Sequence, residues 1–324
     1  MVHTFRTELT WELLQALSRV DRFAGEWASI ERREGRSLKH LKSIATIQSV
    51  GASTRIEGSR LDDTAVDALL AQFDITKLED RDQQEVAGYF EALDTISEAY
   101  ADIRIGESEL KHLHKLTLQY SIKDAWHRGG YKQRSNAVEA TLPDGSRSVV
   151  FTTTPPGVET EDAMRALVTW YGQSDAVHPL VRVAAFCYEF VTIHPFQDGN
   201  GRLSRLLATL LLLQQGYPWV QYVSFEHEIE TLVRRQSTRI ERDSLTGLAI
   251  GQRPASRLGQ RPSCAPGIGN EIRDDADRTV VVLCLVGHHR TDGQHEIDTT
   301  CKTVLESHPG LHRRQFRNHG RRRH

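Results

Sequence analysis

The segment from His194 to Arg205 combines residue types that handle phosphate groups. It reads His-Pro-Phe-Gln-Asp-Gly-Asn-Gly-Arg-Leu-Ser-Arg and precedes an apolar run at Leu206–Leu213. Gly199 and Gly201 let the backbone approach a ligand without an intervening Cβ. A glycine-rich turn that leads into a helix presents unpaired backbone N–H groups at the positive end of the helix dipole. The segment is therefore expected to bind an anion such as phosphate.

Charged side chains around this turn extend the expected chemistry. Arg202 and Arg205 lie about one helical turn apart, so both guanidinium groups can reach the same phosphates. Asp198 offers a hard oxygen ligand that suits Mg²⁺. Histidine titrates near neutrality, which makes His194 a candidate base for an attacking hydroxyl. Together these groups indicate transfer of a phosphorus centre from a nucleotide to an oxygen nucleophile.

The same segment resembles the Fic family signature H-P-F-x-[DN]-G-N-G-R-x-x-R at every specified position. The resemblance implies that His194 is the general base and that Asp198 holds Mg²⁺. It also implies that His194 lies among the residues that bind the substrate ATP, whose phosphates are bound by Gly199, Asn200, Gly201, Arg202 and Arg205. A hydroxyl of a target protein would attack the α-phosphorus, which leaves AMP on that protein and releases pyrophosphate.

The resemblance favours one reaction and leaves two other functions open. The related Doc proteins, which phosphorylate their targets, usually carry Lys where this chain has Gly201, so Gly201 favours AMP transfer. The same site working in reverse would remove AMP from a modified protein, with Glu57 helping to position water. A third hypothesis is a catalytically weak nucleotide-binding regulator whose helical body binds a partner. The target protein and the modified residue type stay open.

An upstream pattern, Ser53-x-x-x-Glu57-Gly58, resembles the inhibitory motif [ST]-x-x-x-E-[GN] of Fic proteins. Here it precedes the catalytic segment, the arrangement that in this family (class II) folds in from the N-terminal side. A Glu57 carboxylate that reaches Arg205 would pair with the guanidinium needed for the γ-phosphate. Ser53 is expected to hydrogen-bond Glu57 and orient it. We therefore expect Glu57 to lie among the ATP-binding residues and to inhibit the protein. In the alternative, Glu57-Gly58 is simply a helix end.

Helical periodicity describes the elements that must position these residues. Apolar residues recur at three- and four-residue steps near residues 9–20, 38–47, 66–73, 86–96, 110–118 and 180–191. The expected fold class is all-α, a Fic-type helical bundle with a β-hairpin flap and an irregular C-terminal tail. The helix before His194 should end near Ile193, because Pro195 disfavours helical backbone at His194. The next helix should start at about Asn200, as its N-cap.

Residues 129–154 interrupt the helical pattern. A Pro-Asp-Gly turn at 143–145 separates two strand-like runs and predicts a β-hairpin. The resemblance implies that this hairpin is the family's flap, which registers an extended target segment by strand addition. Pro-Pro-Gly at 155–157 ends it, and Glu159 and Glu161 suit the first turn of the next helix.

The chain divides into three expected regions. Residues 1–106 form an N-terminal helical region with the inhibitory motif, 107–250 the Fic catalytic core, and 251–324 an atypical, poorly ordered tail. Family members typically continue past the core with a helix that carries paired tyrosines beside the adenine pocket. Here no tyrosine follows Tyr222, so the chain departs from the family's pattern at the adenine pocket.

Three interpretations of the tail are weighed. The favoured one is a shifted or degenerate reading frame, because periodicity is lost and Arg, His, Cys and Gly increase. The second is a basic arm at Arg313–Arg323 that binds nucleic acid, although this run of basic residues is short. The third is a metal site formed by Cys264, Cys284, His288, His289 and Cys301. The spacings between these residues fit no zinc-binding pattern.

Composition restricts the partners. The formal net charge is −2, from 41 Lys and Arg against 43 Asp and Glu, so bulk charge gives no argument for nucleic acid or an anionic membrane. No apolar stretch reaches the ~20 residues of a membrane span, and the first residues lack an apolar signal core. A cytoplasmic protein is expected, with ATP and a target protein as partners. A homodimer is left open, because family members often dimerise.

Overall fold

The structure is a computed structural model that describes residues 10–235, except 76, 77, 79 and 142–146, and also residues 289–291 and 294–297. Most of these residues are helical. The helices are α1 (Trp11–Ile56), α2 (Asp63–Ala71), α3 (Arg81–Ala99), α4 (Glu107–Thr117), α5 (Val158–Gln173), α6 (Pro179–Ile193), α7 (Asn200–Gln214), a 3₁₀ turn (Pro218–Tyr222) and α8 (residues 225–235). None of the helices in the described ranges is both long enough and apolar enough to cross a membrane.

Helix α1 is a single long element with a break near its middle. It contains 46 residues, and the backbone of Glu34 (φ −106°, ψ 15°) departs from helical geometry. Aromatic rings join its first half to the 3₁₀ turn: the Phe23 and Trp219 ring centroids are 5.5 Å apart, and those of Trp27 and Tyr222 are 5.1 Å apart. Two apolar stretches that are separate in the sequence pattern therefore lie in the same element, on either side of the break at Glu34.

Aspartate side chains cap the start of α2 and α3. The side chain of Asp62 accepts a backbone N–H in the first turn of α2, and Asp80 does the same for α3. This N-cap arrangement satisfies a donor that has no intrahelical partner. Glu159 and Glu161 lie in the first turn of α5, as the sequence predicts, where acidic side chains are favoured by the helix dipole.

Helix α7 lies at the centre of the fold. Every residue from Asn200 to Leu211 is buried, and α7 is in contact with α1, α3, α4 and α6. A helix covered on all sides must have its charged side chains paired inside the protein. Arg202 and Arg205 are therefore fixed by neighbouring helices. Helix α6 ends at Ile193, as predicted from Pro195.

In the part of the chain that the structure describes, four strands accompany the helices. They are β1 (Ala137–Thr141), β2 (Arg147–Thr152), β3 (His289–Thr291) and β4 (Gln294–Ile297). Strand β1 pairs antiparallel with β2 and parallel with β4, while β3 pairs antiparallel with β4, so the sheet order is β2-β1-β4-β3. The role of β1 and β2 as a flap stays a prediction.

Strands β3 and β4 lie within the range 251–324, where β4 pairs with β1 and β3 pairs with β4. The interpretation of that range as an irregular, poorly ordered tail stays a prediction. Helix α8 carries helical structure to residue 235, past the point where the periodicity weakens. The turn at 143–145, the tail cysteines with His288, and Arg313–Arg323 lie outside the described residues, and the boundaries at 106 and 250 stay predictions.

Candidate active site

The candidate base His194 occupies the turn between α6 and α7. Its backbone is left-handed (φ 53°, ψ 61°), and it is the one non-glycine residue with positive φ in the described part of the chain. Its Nδ1 lies 3.3 Å from the backbone oxygen of Val191. A carbonyl oxygen accepts but does not donate, so Nδ1 carries the proton of the neutral ring. Nε2 is then the nitrogen that can take up a proton, as a general base requires.

Asn200 fastens the turn to the start of α7. Its Oδ1 accepts from the Phe196 backbone N–H at 2.9 Å, and its Nδ2 donates to the Phe196 carbonyl at 2.8 Å. The N-cap is Gly199, with φ of 80°, and Asn200 is the first helical residue. The expectation that Asn200 caps the helix is therefore corrected, because the Asn200 amide is used to hold the loop. The backbone N–H groups of the first turn, including that of Gly201, have no intrahelical carbonyl.

His114, on α4, packs against this loop and hydrogen-bonds to it. Its ring stacks on Phe196 with centroids 3.8 Å apart and planes 11° from parallel. Its Nδ1 accepts the Gly129 N–H at 2.9 Å, so its Nε2 donates to the Asp198 carbonyl at 2.8 Å. Burial lowers the pKa of His114 to about 4. The ring is therefore neutral at pH 7, with its tautomer fixed.

Arg202 is paired with a carboxylate of α3. Its side chain is 1% exposed, with Nη1 3.2 Å from Glu85 Oε2 and Nη2 3.8 Å from Asp198 Oδ2. Burial alone would lower the pKa of Arg202, but the charges of Glu85 and Asp198 raise it above its ordinary value. Burial in turn raises the pKa of Glu85, against the opposing charge of Arg202. The guanidinium is thus a charged group whose position is set by α3.

Arg205 contacts the predicted inhibitory motif. It is fully buried, and its Nε donates to Ser53 Oγ at 2.7 Å. Its Nη2 donates to Glu57 Oε1 at 2.8 Å and to the Ser53 carbonyl at 3.0 Å. Ser53 therefore has a different partner from the one expected, because the buried guanidinium needs acceptors for its fixed set of donors. Gly58, with φ of 98°, follows the C-cap Glu57 and ends α1, so the motif also forms a helix end.

A second carboxylate lies near Arg205. Tyr89 donates from its hydroxyl to Glu226 Oε1 at 3.2 Å, and both side chains are buried. Burial raises the pKa of Glu226 above its ordinary value, although the charge of Arg205 acts in the opposite direction. Arg205 therefore lies in a polar network formed by α1, α3 and α8.

Asp198 is the candidate metal ligand. Its Oδ1 accepts the Gly199 N–H at 2.7 Å, and it lies at the start of α7 beside Arg202. Among the residues that the structure describes, no group of three side chains of metal-binding type occurs. Mg²⁺ at a nucleotide usually takes one or two carboxylates and fills its shell with phosphate and water oxygens. A single carboxylate next to an anion site fits that pattern and does not fit a metal cage made of protein ligands alone.

Three buried polar residues of this region were not singled out from the sequence. Glu85 and His114 lie on the apolar faces of α3 and α4, beside Val86 and Leu113 respectively. Their position on an apolar stripe could have identified them from the sequence. An ionisable residue there is rarely buried without a partner, so a buried polar contact would have been predicted. Glu226 lies at the start of α8, where no comparable pattern is legible.

Comparison with known proteins finds one family model that matches part of the chain. Residues 104–212 match the family model described as Fic/DOC family. This range contains the turn, both arginines and the candidate metal ligand, whereas Ser53 and Glu57 lie before it.

Relatives with this description are similar over part of the chain. The protein adenylyltransferase Fic of Drosophila melanogaster is 26% identical over 186 residues, which are 56% of this chain and 35% of that protein. The protein of the same name from Drosophila mojavensis is 54% identical over 46 residues, which are 14% of this chain and 9% of that protein. The chain spans about a third or less of the length of these relatives.

Two solved structures have a similar fold. A Fic-domain-containing signalling protein from Bacteroides thetaiotaomicron superposes with a TM-score of 0.51 at 26% identity, covering 61% of this chain and 73% of that one. A Fic family protein from Desulfovibrio desulfuricans has a TM-score of 0.58 at 20% identity, covering 96% of this chain and 78% of that one. The second likeness concerns the fold alone.

Proposed function

This chain is a Fic family protein, and we propose that it transfers AMP from ATP to a hydroxyl side chain of a target protein. The observation that carries the proposal is the geometry of one turn. The proton-accepting Nε2 of His194, the start of α7 and the guanidinium of Arg205 all belong to the segment between α6 and the second turn of α7. The relatives named protein adenylyltransferase support the same reaction.

In the proposed reaction His194 Nε2 takes the proton of the target hydroxyl. The hydroxyl oxygen forms a bond to the α-phosphorus of ATP. The bond from that phosphorus to the oxygen bridging the α- and β-phosphates breaks, and pyrophosphate leaves with the electron pair. The proton stays on His194 until it passes to solvent. The tautomer set by the Val191 carbonyl directs Nε2 to this role.

The phosphates would be held by α7. Its first backbone N–H groups, at Asn200 and Gly201, and its dipole favour an anion. Arg202 and Arg205 would neutralise the outer phosphates by charge-assisted hydrogen bonds. Asp198 would hold Mg²⁺ together with the phosphates, and that ion supplies charge neutralisation at the reacting group. The strand pair β1–β2 would receive an extended segment of the target at its edge.

Glu57 would inhibit this reaction. Its carboxylate is 2.8 Å from Arg205 Nη2 and its side chain is 11% exposed. A guanidinium that is already paired with a carboxylate is withdrawn from the γ-phosphate, so ATP would bind in a pose unsuited to in-line attack. Loss of the Glu57 carboxylate should therefore activate transfer.

The test is incubation of purified protein with Mg²⁺ and ATP labelled at the α-phosphate. Wild type, Glu57→Gly, Glu57→Gln and the double variant Glu57→Gly, His194→Ala are compared. Label on protein should be low in wild type, intermediate in Glu57→Gln, which keeps the shape of the side chain, and highest in Glu57→Gly. The double variant should lose the label.

Other results would identify the competing functions. Binding of ATP without transfer in every variant would overturn the proposal in favour of a weak nucleotide-binding regulator. Release of AMP from a pre-modified protein by wild type, abolished by Glu57→Gly, would instead indicate removal of AMP. Label that persists after His194→Ala would exclude His194 as the base.

A further inference from the structure

Lys132 is a buried cation at the base of the strand pair β1–β2. Its side chain is 2% exposed. Nζ donates to Thr153 Oγ1 at 2.8 Å, to Asn136 Oδ1 at 2.9 Å and to the carbonyl of Ile193 at 3.2 Å. An ammonium has three donors, so these three acceptors use all of them. All three acceptors are uncharged.

The contacts of Lys132 lie on both sides of His194. The Ile193 carbonyl belongs to the peptide bond that enters His194. On the other side, the Lys132 backbone N–H donates to the Pro195 carbonyl at 2.8 Å. The next residue, Phe196, forms an isolated bridge with Tyr131. The chain before and after His194 is therefore attached to the single segment 131–136.

His194 needs such support because its backbone is left-handed. For a residue with a Cβ this conformation costs on the order of 1 kcal/mol or more, and it persists only when its surroundings hold it in place. Val191 contacts the ring and the His194 N–H donates to the Phe190 carbonyl at 3.0 Å, whereas Lys132 holds the Ile193 carbonyl before His194 and the Pro195 carbonyl after it. Without these bonds the φ and ψ angles of His194 would relax, and Nε2 would move away from its position beside α7.

We propose that Lys132 is a positioning residue that holds His194 in its left-handed conformation and links the candidate base to the base of the β1–β2 pair. The expected effect on catalysis rests on the proposed AMP transfer, whereas the expected effect on the turn does not. Burial lowers the pKa of Lys132 to about 7. The full set of three N–H donors is therefore present in the protonated side chain below this pH.

The kinetic test uses the Glu57→Gly background, where transfer is measurable. Lys132→Met removes every side-chain donor, keeps the length of the side chain and leaves the backbone bond to Pro195 in place. Lys132→Arg keeps the charge, and Lys123→Met is the matched control at an exposed lysine of the same loop. We expect Lys132→Met to lower kcat on the order of a hundredfold, as a small displacement of a catalytic group does. KM for ATP should change by less than about threefold, because the phosphate groups are held by α7. Lys132→Arg should restore most of kcat, and Lys123→Met should behave as its parent.

A second readout does not depend on transfer. Amide hydrogen exchange, followed by mass spectrometry in the otherwise wild-type protein, should become faster in peptides that cover residues 193–197 in Lys132→Met. Peptides from α3 should be unchanged. Thr153→Val removes one acceptor of Lys132 and keeps the side-chain volume, so it should give a smaller increase in the exchange rate at 193–197. This variant replaces Lys132→Met in the experiment if Lys132→Met does not fold.

The outcomes separate the two proposals. Unchanged exchange at 193–197 in Lys132→Met, or in Thr153→Val if that variant must serve, would overturn the positioning role. So would an unchanged kcat, or faster exchange throughout the chain in Lys132→Met and Thr153→Val alike. If the Glu57→Gly parent transfers no AMP, the proposed function fails while the exchange experiment still decides the role of Lys132.

Discussion

Arg55 and Glu230, 175 positions apart in the sequence, form a two-point ion pair that joins the end of α1 to α8. Arg55 Nε lies 2.8 Å from Glu230 Oε1, and Nη2 lies 3.0 Å from Oε2. Both side chains are largely buried, and Arg55 also pairs with Asp63 at 2.9 Å. Because Arg55 precedes Glu57 by two residues, α8 holds the part of α1 that delivers the Glu57 carboxylate to Arg205.

Weakening this pair should therefore activate a protein that still contains Glu57. Glu230→Gln keeps the shape and removes the charge. If α1 is held less firmly by about 1 kcal/mol, the released state becomes about fivefold more populated. Incorporation of labelled AMP should rise by a similar factor. Glu228→Gln, at an exposed position of the same helix, is the control, and an equal rise there or in the Glu57→Gly background would argue against the connection.

Ser53 should act on Arg205 and not on Glu57. Ser53→Ala removes the acceptor of Arg205 Nε, so in the Glu57→Gly background KM for ATP should rise a few-fold while kcat changes less. The exposed Ser43, also on α1, gives the control Ser43→Ala. If Ser53 instead orients Glu57, Ser53→Ala would activate the protein that retains Glu57, and the steady-state kinetics of both backgrounds would show it.

His114 should be required for stability of the catalytic turn. His114→Leu leaves the Gly129 N–H and the Asp198 carbonyl without the partners they have now. Each buried polar group that loses its partner costs about 1–3 kcal/mol, so the free energy of unfolding should fall by about 2–6 kcal/mol. Urea denaturation measures this loss. His112→Leu, two residues earlier and exposed, should cost less than about 0.5 kcal/mol, and an equal loss in both variants would show that the contacts of His114 do not matter.

Transfer should decline on the alkaline side as Lys132 loses its proton. The pKa of Lys132 is lowered to about 7 by burial, so below that pH the side chain has three N–H donors and above it two. We expect kcat of the Glu57→Gly protein to fall above about pH 7. In Lys132→Arg the side chain stays charged, so this alkaline decline should disappear. A pH profile of kcat that is identical for Lys and Arg at this position would assign the decline to another group.

The sequence predicts the catalytic turn better than its surroundings. Pro195 and the two glycines place the end of α6 and the start of α7 because they restrict or free the backbone locally. The ion pair between Glu57 and Arg205 is the contact that the Ser53-x-x-x-Glu57-Gly58 pattern leads one to expect, although the two residues come from different helices. Local rules suffice where one residue determines the conformation of its neighbours.

The partners that come from distant helices could not be predicted in this way. Ser53 was expected to contact its neighbour Glu57, yet it bonds Arg205, 152 positions away. Glu85 and Lys132 are ordinary charged residues in sequence, and their roles depend on which helices pack around α7. Side-chain partners of this kind follow from tertiary packing, which apolar periodicity leaves unspecified.

The length of α1 separates the Glu57–Arg205 contact from the start of the helix. At about 1.5 Å per residue the helix is ~70 Å long, and Glu57 lies at one end of it. Its opposite half is fixed by ring contacts of Phe23 and Trp27 with the 3₁₀ turn. Between these two ends the backbone of Glu34 departs from helical geometry. The part of α1 that runs without interruption to the Glu57 end therefore begins after Glu34, and the ring contacts with the 3₁₀ turn lie on the other side of that break.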